Sequence, residues 1–199
     1  MAKRKQGGTS KAGRLRIVAG NWRSRLLDIA DVEGLRPTSE RIRETLFNWL
    51  APHIHGARCL DLFAGTGALG LEALSRGAAS AVFVERDAVA EQRLRNNVDL
   101  LGADNAEIVS GDARDFLRSD SAGPFNIVFL DPPFAGNLLG ETCRLLVESC
   151  QLADGALIYL EDEGSREETE LPQGWKVLKQ KTAGNVRYML ARAGEDDEQ

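Results

Sequence analysis

Asp61-Leu62-Phe63-Ala64-Gly65-Thr66-Gly67-Ala68-Leu69-Gly70 is an apolar run that begins with a carboxylate and breaks into three glycines ahead of a helical pattern. Physically it is a strand delivering its end to a ligand. Gly65, Gly67 and Gly70 spell G-x-G-x-x-G, a spacing that lets the backbone turn tightly, approach a bound group closely and start a helix. That spacing is common to NAD-, FAD- and S-adenosylmethionine-binding domains, so the bound group has to be read from the rest of the chain.

Working outward, the rhythm from Arg58 onward is strand, helix, strand, helix. Cys59 to Phe63 reads as a strand and Ala68 to Arg76 as a helix stopped by Gly77. A second strand, Ala81 to Glu85, is followed by a helix from Asp87 to Leu101, with Asp87 as its cap and Gly102 as its stop. Ala106 to Val109 and Phe125 to Leu130 are the third and fourth strands. A helix from Leu138 to Cys150 and a fifth strand, Ala156 to Leu160, follow. Apolar strands alternating with helices imply a parallel sheet covered on both faces. Trp175 to Lys181 and Val186 to Ala191 are separated by four residues, too few for a helical crossover, so the chain must end in an antiparallel hairpin. The expected class is α/β, with a mostly parallel seven-stranded sheet closed by that hairpin.

Ahead of the alternation lies a different segment. Leu15 to Gly20 and Arg25 to Ile29 are short β-prone runs around Asn21-Trp22-Arg23-Ser24, the pattern of a hairpin. Arg16, Arg23 and Arg25 could neutralise phosphates and Trp22 could stack on a base; a packed Trp with snorkelling arginines reads equally well. Glu40 to Leu50 places Ile42, Leu46, Trp49 and Leu50 on one helical stripe, with Thr38 or Ser39 as cap and Arg41 and Arg43 on the polar face. The reading divides the chain into a disordered basic tail (1–14), a basic N-terminal extension (15–52), the α/β domain (53–193) and an acidic tail (194–199).

Charge supports that division. The whole chain of 199 residues carries a formal −5, yet residues 1–52 hold eleven Lys or Arg against five Asp or Glu, so tail and extension together are +6 and the remainder −11. Such asymmetry suggests an arm that meets phosphates; for the first 13 residues a solvated tail is the equal alternative. Glu161 to Glu170 and Glu195 to Glu198 read as solvated acidic segments. Cys59, Cys143 and Cys150 are scattered without a C-x-x-C, so neither zinc nor a disulfide is expected; Cys143 and Cys150, seven apart, read as core-facing thiols. His53 and His55 fall in an exposed connection. No run reaches about 18 apolar residues and the N-terminus lacks a signal-peptide core, which leads us to expect a cytoplasmic protein with no membrane partner.

In an open parallel sheet, ligands collect beyond the carboxyl ends of the strands. Four such ends are polar here: the glycines after strand one, Glu85 after strand two, Asp112 after strand three and Asp131 after strand four. Glu85, 20 residues beyond Gly65, is placed for ribose hydroxyls. Asp131-Pro132-Pro133-Phe134 discriminates, because two prolines withdraw two N–H donors and leave a carboxylate beside bare carbonyls. Such an acceptor cluster suits an exocyclic NH₂ whose ring lies against Phe134, with one hydrogen to Asp131 and the other to the Pro132 carbonyl.

On these residues the chain resembles the class I S-adenosylmethionine-dependent methyltransferases with a D/N-P-P-aromatic motif. It is most similar to the ribosomal small-subunit methyltransferase D family. The resemblance is carried by Arg16 to Gly20, Leu35 to Asn48, Asp61 to Ala73 and Asp131 to Phe134, and it runs from about Leu15 to Arg192. It implies a Rossmann-like fold and an enzyme that methylates N2 of a guanine in 16S rRNA, free or within an assembling or complete small subunit. It further implies that Asp61, Gly65 and Gly67 surround the methionine part of S-adenosylmethionine, that Glu85 meets its ribose, and that Asp112 with Ala113 meets its adenine. Thr38 would close over the cofactor, and Asp131, Pro132 and Phe134 would hold the base. N-methylation of adenine or of a protein glutamine uses the same acceptor geometry. A non-catalytic RNA-binding module and a nicotinamide oxidoreductase are the other readings.

Overall fold

A computed structural model describes residues 13–30, 32, 38–119, 123–133, 138–164 and 170–194. The expectations for the basic tail before Gly13, for Leu35 to Pro37, for Phe134 and for the acidic run 195–198 lie outside the described residues.

The first elements among the described residues are β1 (Arg14–Arg16) and β2 (Leu26–Asp28), paired antiparallel with Leu15 opposite Leu27. The expected hairpin is present with shorter strands. Helix α1 (Glu40–Leu50) starts where Ser39, rather than Thr38, accepts the Ile42 N–H at 3.3 Å. Its apolar stripe buries Ile42, Leu46, Phe47 and Leu50, while Trp49 stacks on Tyr188 with ring centroids 5.5 Å apart.

The α/β alternation then runs through β3 (Arg58–Asp61), α2 (Ala68–Ser75), β4 (Ser80–Glu85), α3 (Ala88–Leu101), β5 (Ala106–Ser110), α4 (Ala113–Arg118), β6 (Phe125–Leu130), α5 (Leu138–Glu148), β7 (Leu152–Glu163), β8 (Lys176–Ala183) and β9 (Val186–Arg192). Among the described residues these strands form a seven-stranded sheet in the order β5-β4-β3-β6-β7-β9-β8. Strands β3 to β7 are mutually parallel, and β9 runs antiparallel between β7 and β8. Helix α4 has no counterpart in the sequence reading, since six residues are too few to display a helical period. Asp87 and Gly102 bound α3 as expected: the Asp87 carboxylate accepts the Val89 and Ala90 N–H groups and Gly102 is left-handed at φ 62°.

Each strand alternates between two apolar layers. Phe83, Phe129 and Tyr159 face α1, α2, α3 and the hairpin; Val82, Val128 and Leu160 face α4 and α5. The N-terminal extension therefore shares the first layer, through Leu15, Ile17, Leu27, Ile42, Leu46 and Phe47.

Three expectations are corrected. Strand β7 is twelve residues long and continues through Glu161, Asp162 and Glu163, so these three do not belong to a solvated acidic segment; residues 165–169 of that expected segment lie outside the described residues. Glu161 and Asp162 are buried, and Asp162 forms a two-point pair with Arg187 on β9 at 2.7 and 2.9 Å. Arg43 does not lie on an exposed polar face. It is 1% exposed, its guanidinium held by Glu72, the Thr38 carbonyl and the Arg16 carbonyl. Of Cys143 and Cys150, only Cys143 is core-facing; Cys150 lies past the end of α5 and is exposed, and all three cysteines are free.

Candidate active site

The site is built where β3 has β4 on one side and β6 on the other. Asp61 pairs in register with Phe83 and Phe129, so Glu85 and Asp131, each two residues farther along, flank the glycine loop. This is the point of reversed strand order, where helices on both faces leave a crevice.

Gly65 and Gly67 both hold left-handed backbone, at φ 54° and 89°. A Cβ on Gly67 would sit 2.6 Å from Leu94 Cδ1, and one on Gly70 would sit 2.2 Å from the Phe83 ring, so glycine is also what allows α2 to pack on the sheet. Two carboxylates fix the loop from beneath. Glu85 accepts the Gly65 N–H and the Asp87 N–H, each at 2.7 Å. Asp61 accepts the Gly70 N–H at 3.0 Å and is almost fully buried. Burial, reinforced by the nearby Glu85 charge, raises the Asp61 carboxyl to about 7, against the pull of the Gly70 and Phe63 N–H groups.

At the end of β5, Asp112 caps α4 by accepting the Arg114 N–H, with Ala113 as the first helical residue. The Arg114 guanidinium grips the same carboxylate at 2.8 and 3.0 Å and holds it at about 2, well below the carboxylate range. At the end of β6, Asp131 is half-buried, followed by buried Pro132 and exposed Pro133. Thr38 donates to Asp131 Oδ2 at 3.0 Å, so its hydroxyl addresses the acid after β6.

Two residues of this neighbourhood were not anticipated. Glu161, one position beyond the Leu130–Leu160 pair, lies beside Asp131 and accepts the Tyr159 hydroxyl at 2.6 Å. Its signal in the sequence is that Tyr159 and Glu161 are two apart on one strand, a spacing that puts both on one face. Glu72, in the middle of α2 and fully buried, accepts the Val18 and Ala19 N–H groups as well as Arg43 and Arg76. An acid inside an otherwise apolar run, Leu69 to Leu74, is the cue to it. Of the other basic candidates, Arg16, Arg23, Arg25 and Arg41 are exposed, Arg25 reaching the Leu100 carbonyl at 3.0 Å. Trp22 is half-buried against the first apolar layer, which favours the packed alternative over a free stacking platform.

The donor set decides the ligand class. Asp61, Glu85, Asp112 and Asp131 make the crevice acidic, and the Gly70 N–H at the start of α2 is already taken by a carboxylate. A dinucleotide seats its pyrophosphate at a helix start of this kind, where Asp61 would repel it. A cationic ligand rich in hydroxyl and amine donors fits, and S-adenosylmethionine is such a ligand. Sheet order, reversed β9 and site together define a class I S-adenosylmethionine-dependent methyltransferase.

The chain belongs to the family described as Conserved hypothetical protein 95, whose model matches residues 15–192. It is 50% identical over 191 residues to Ribosomal RNA small subunit methyltransferase D of Escherichia coli (strain K12), covering 94% of this chain and 96% of that protein. The solved structure of yhhF from Escherichia coli superposes with a TM-score of 0.86 at 48% identity, covering 92% of this chain and 99% of that one. An RNA methyltransferase from Salinibacter ruber, solved with S-adenosyl-L-homocysteine, shares the fold at 20% identity and a TM-score of 0.61, covering 81% of this chain and 95% of that one.

Proposed function

We propose that this enzyme methylates the exocyclic N2 amine of a guanine in 16S rRNA, presented on an assembling or complete small ribosomal subunit, and so acts in the cytoplasm. The observation that carries the reading is the register between β3 and β6, which sets the glycine loop beside Asp131-Pro132-Pro133. The 50% identity over 94% of this chain to a relative named for small-subunit rRNA supports the substrate.

S-adenosylmethionine, when bound, supplies an electrophilic methyl group on a sulfonium. Asp61, Gly65 and Gly67 would hold its methionine portion, Glu85 its ribose, and Asp112 with Ala113 its adenine. The target nitrogen is a poor nucleophile because its lone pair is delocalised into the ring. Asp131 and the Pro132 carbonyl would each accept one of its hydrogens, turning the amine toward tetrahedral geometry. Both bonds strengthen as positive charge develops on nitrogen, so they stabilise the transition state more than the ground state. Phe134 would stack on the base. A guanine inside a helix cannot reach this crevice, so the target is unpaired or flipped out. Arg16, Arg23, Arg25 and Arg41 are the exposed bases that would meet RNA phosphates. The reading is tested by incubating the protein with labelled S-adenosylmethionine and unmodified small subunits or naked rRNA, then mapping the labelled nucleotide.

A further inference from the structure

The charges of the C-terminal hairpin, β8 and β9, are not used by the methyl-transfer scheme. Residues 171–194 hold five Lys or Arg and no Asp or Glu, inside an α/β domain that is otherwise strongly acidic. In the fold these bases are sorted by face. An irregularity between Val177 and Lys179 shifts the β8–β9 register, so Lys176, Lys179 and Lys181 pair with Arg192, Leu190 and Tyr188, alternate residues of β9. The three lysines and Arg192 therefore share one face of the hairpin, although Lys176 and Lys179 are three residues apart and strict alternation would separate them. All four are exposed. The opposite face of β8 presents Val177, Gln180 and Thr182, none of them charged.

That face is the one on which the site opens. Tyr188 and Leu190 belong to the apolar layer beneath α1, and Thr38, two residues before α1, bonds Asp131. Strand β8 runs with β7, because each is antiparallel to β9, so the lysines climb toward the carboxyl ends of the parallel strands. Lys181 stands in one row with Tyr188, Glu161 and Asp131, three strand spacings or about 14 Å from that acid. The N-terminal bases lie on the other flank, where Arg25 reaches the Leu100 carbonyl of α3 at the β4–β5 side of the sheet. We propose that Lys176, Lys179, Lys181 and Arg192 form a second phosphate-binding track, which holds the substrate RNA on one side of the crevice while the N-terminal arginines hold it on the other. The inference rests on the reading of RNA as the substrate and adds a surface that the N-terminal extension does not supply.

Lysines on an edge strand also guard it against pairing with another chain. Guarding does not select a base over an acid, since β5, at the other edge of the sheet, carries the exposed Glu107 and no base. Nor does it confine the charges to one face. Internal ion pairing does not account for them either. Among the described residues the four bases take part in no ion pair, whereas Arg76, Arg95, Arg114 and Arg118 of the same domain each hold an acid. Four unneutralised cations on a ridge that leads to an acidic crevice fit a polyanion whose base enters first. The phosphates stay on the ridge, and the amine of the base meets the acids.

The test measures the affinity of the full chain for naked, unmodified 16S rRNA across a salt series. Lys176→Gln, Lys179→Gln and Lys181→Gln together should lower the magnitude of the log–log slope by about 2 and weaken binding about a hundredfold at about 0.1 M salt. Arginine at the same three positions keeps both. In methylation assays the Gln variant loses more through KM for rRNA than through kcat, while its calorimetric affinity for S-adenosylmethionine does not change. Because neutral residues leave the β8 edge open to pairing, a second variant carries Lys176→Glu, Lys179→Glu and Lys181→Glu; it keeps a charged edge and binds RNA more weakly still. An unchanged slope and affinity in the folded Gln variant, or a Glu variant that binds as the unaltered protein does, overturns the inference and leaves the lysines as edge guards only. Label on a base other than guanine counts against the proposed function and not against the track, whereas a lack of any RNA binding by the unaltered protein removes both.

Discussion

Arg43 Nη1 lies 3.3 Å from Glu72 Oε2, and both side chains are withdrawn from solvent. Glu72 also receives the Val18 and Ala19 N–H groups at 2.8 and 3.0 Å, so one carboxylate in α2 ties down the connection that follows β1 and the helix α1 together. The extension is thereby fixed to the glycine-loop helix. Replacing Glu72 by Ala leaves a buried guanidinium and two N–H groups without their partner, and breaking a buried pair in this way costs about 3–5 kcal/mol. Urea unfolding should show a loss of that size. A loss below about 1 kcal/mol, the range of an exposed pair, would show that Glu72 does not anchor the extension.

Gly67 combines left-handed backbone with lack of space, its Cβ position lying 2.6 Å from Leu94 Cδ1 and 2.7 Å from Leu71 Cδ1. Gly67→Ala should cost about 1–3 kcal/mol beyond the backbone term and weaken S-adenosylmethionine binding in calorimetry. Gly102→Ala makes the control, since its φ is 62° but nothing lies within 4 Å of its Cβ position. That substitution should show only the left-handed backbone cost, about 1–2 kcal/mol, with cofactor affinity unchanged. Equal effects at the two sites would refute the packing explanation.

The raised carboxyl of Asp61 has a defined sign in the pH dependence of stability. Between the ordinary value of 3.8 and about 7, the folded protein holds a proton that the unfolded chain has released. Stability contributed by this group is therefore complete below pH 4 and is lost as pH rises through 7, over a total on the order of 4 kcal/mol. Asp61→Asn should flatten that fall. Asp112, held down to about 2, acts in the opposite sense and loses its contribution as pH drops below 4. Stability measured from pH 4 to 8 with and without Asp61→Asn checks the sign, and parallel curves would mean Asp61 is ionised throughout.

Arg16, Arg23 and Arg25 project from the hairpin region into solvent, whereas Arg43 does not. Replacing the three exposed arginines by Ala should weaken rRNA binding and lower the magnitude of its log–log salt slope by about 2. The measurement is affinity across a salt series. An unchanged slope would remove the hairpin from the RNA-binding surface.

Much of this arrangement was legible in the sequence because it obeys local rules. Asp87 and Gly102 announce α3 by capping chemistry, the strands β3, β4 and β6 announce themselves by apolar runs, and the short connection between the last two strands, two residues in the folded β8–β9 pair, forces the hairpin. What was not legible depends on contacts between distant segments. Arg43 looks like a polar-face residue until Glu72, 29 positions away, is seen opposite it. Glu161 looks solvated by composition, yet the register of β7 against β6 places it beside Asp131. Likewise, Asp61 and Glu85 could be read as ligand-facing acids, while their backbone partners, Gly70 and Gly65, appear only once the loop is folded.

The central claim is that Asp131 receives the amine of a guanine in 16S rRNA beside bound S-adenosylmethionine. The most direct measurement compares the unaltered protein with Asp131→Ala, using labelled S-adenosylmethionine and unmodified small subunits, mapping of the labelled nucleotide and calorimetric cofactor binding. The account predicts N2-methylguanine at one 16S position with the unaltered protein, and no methylation but largely retained cofactor binding with Asp131→Ala. Normal methylation by that variant, or label on a base other than guanine, would contradict it.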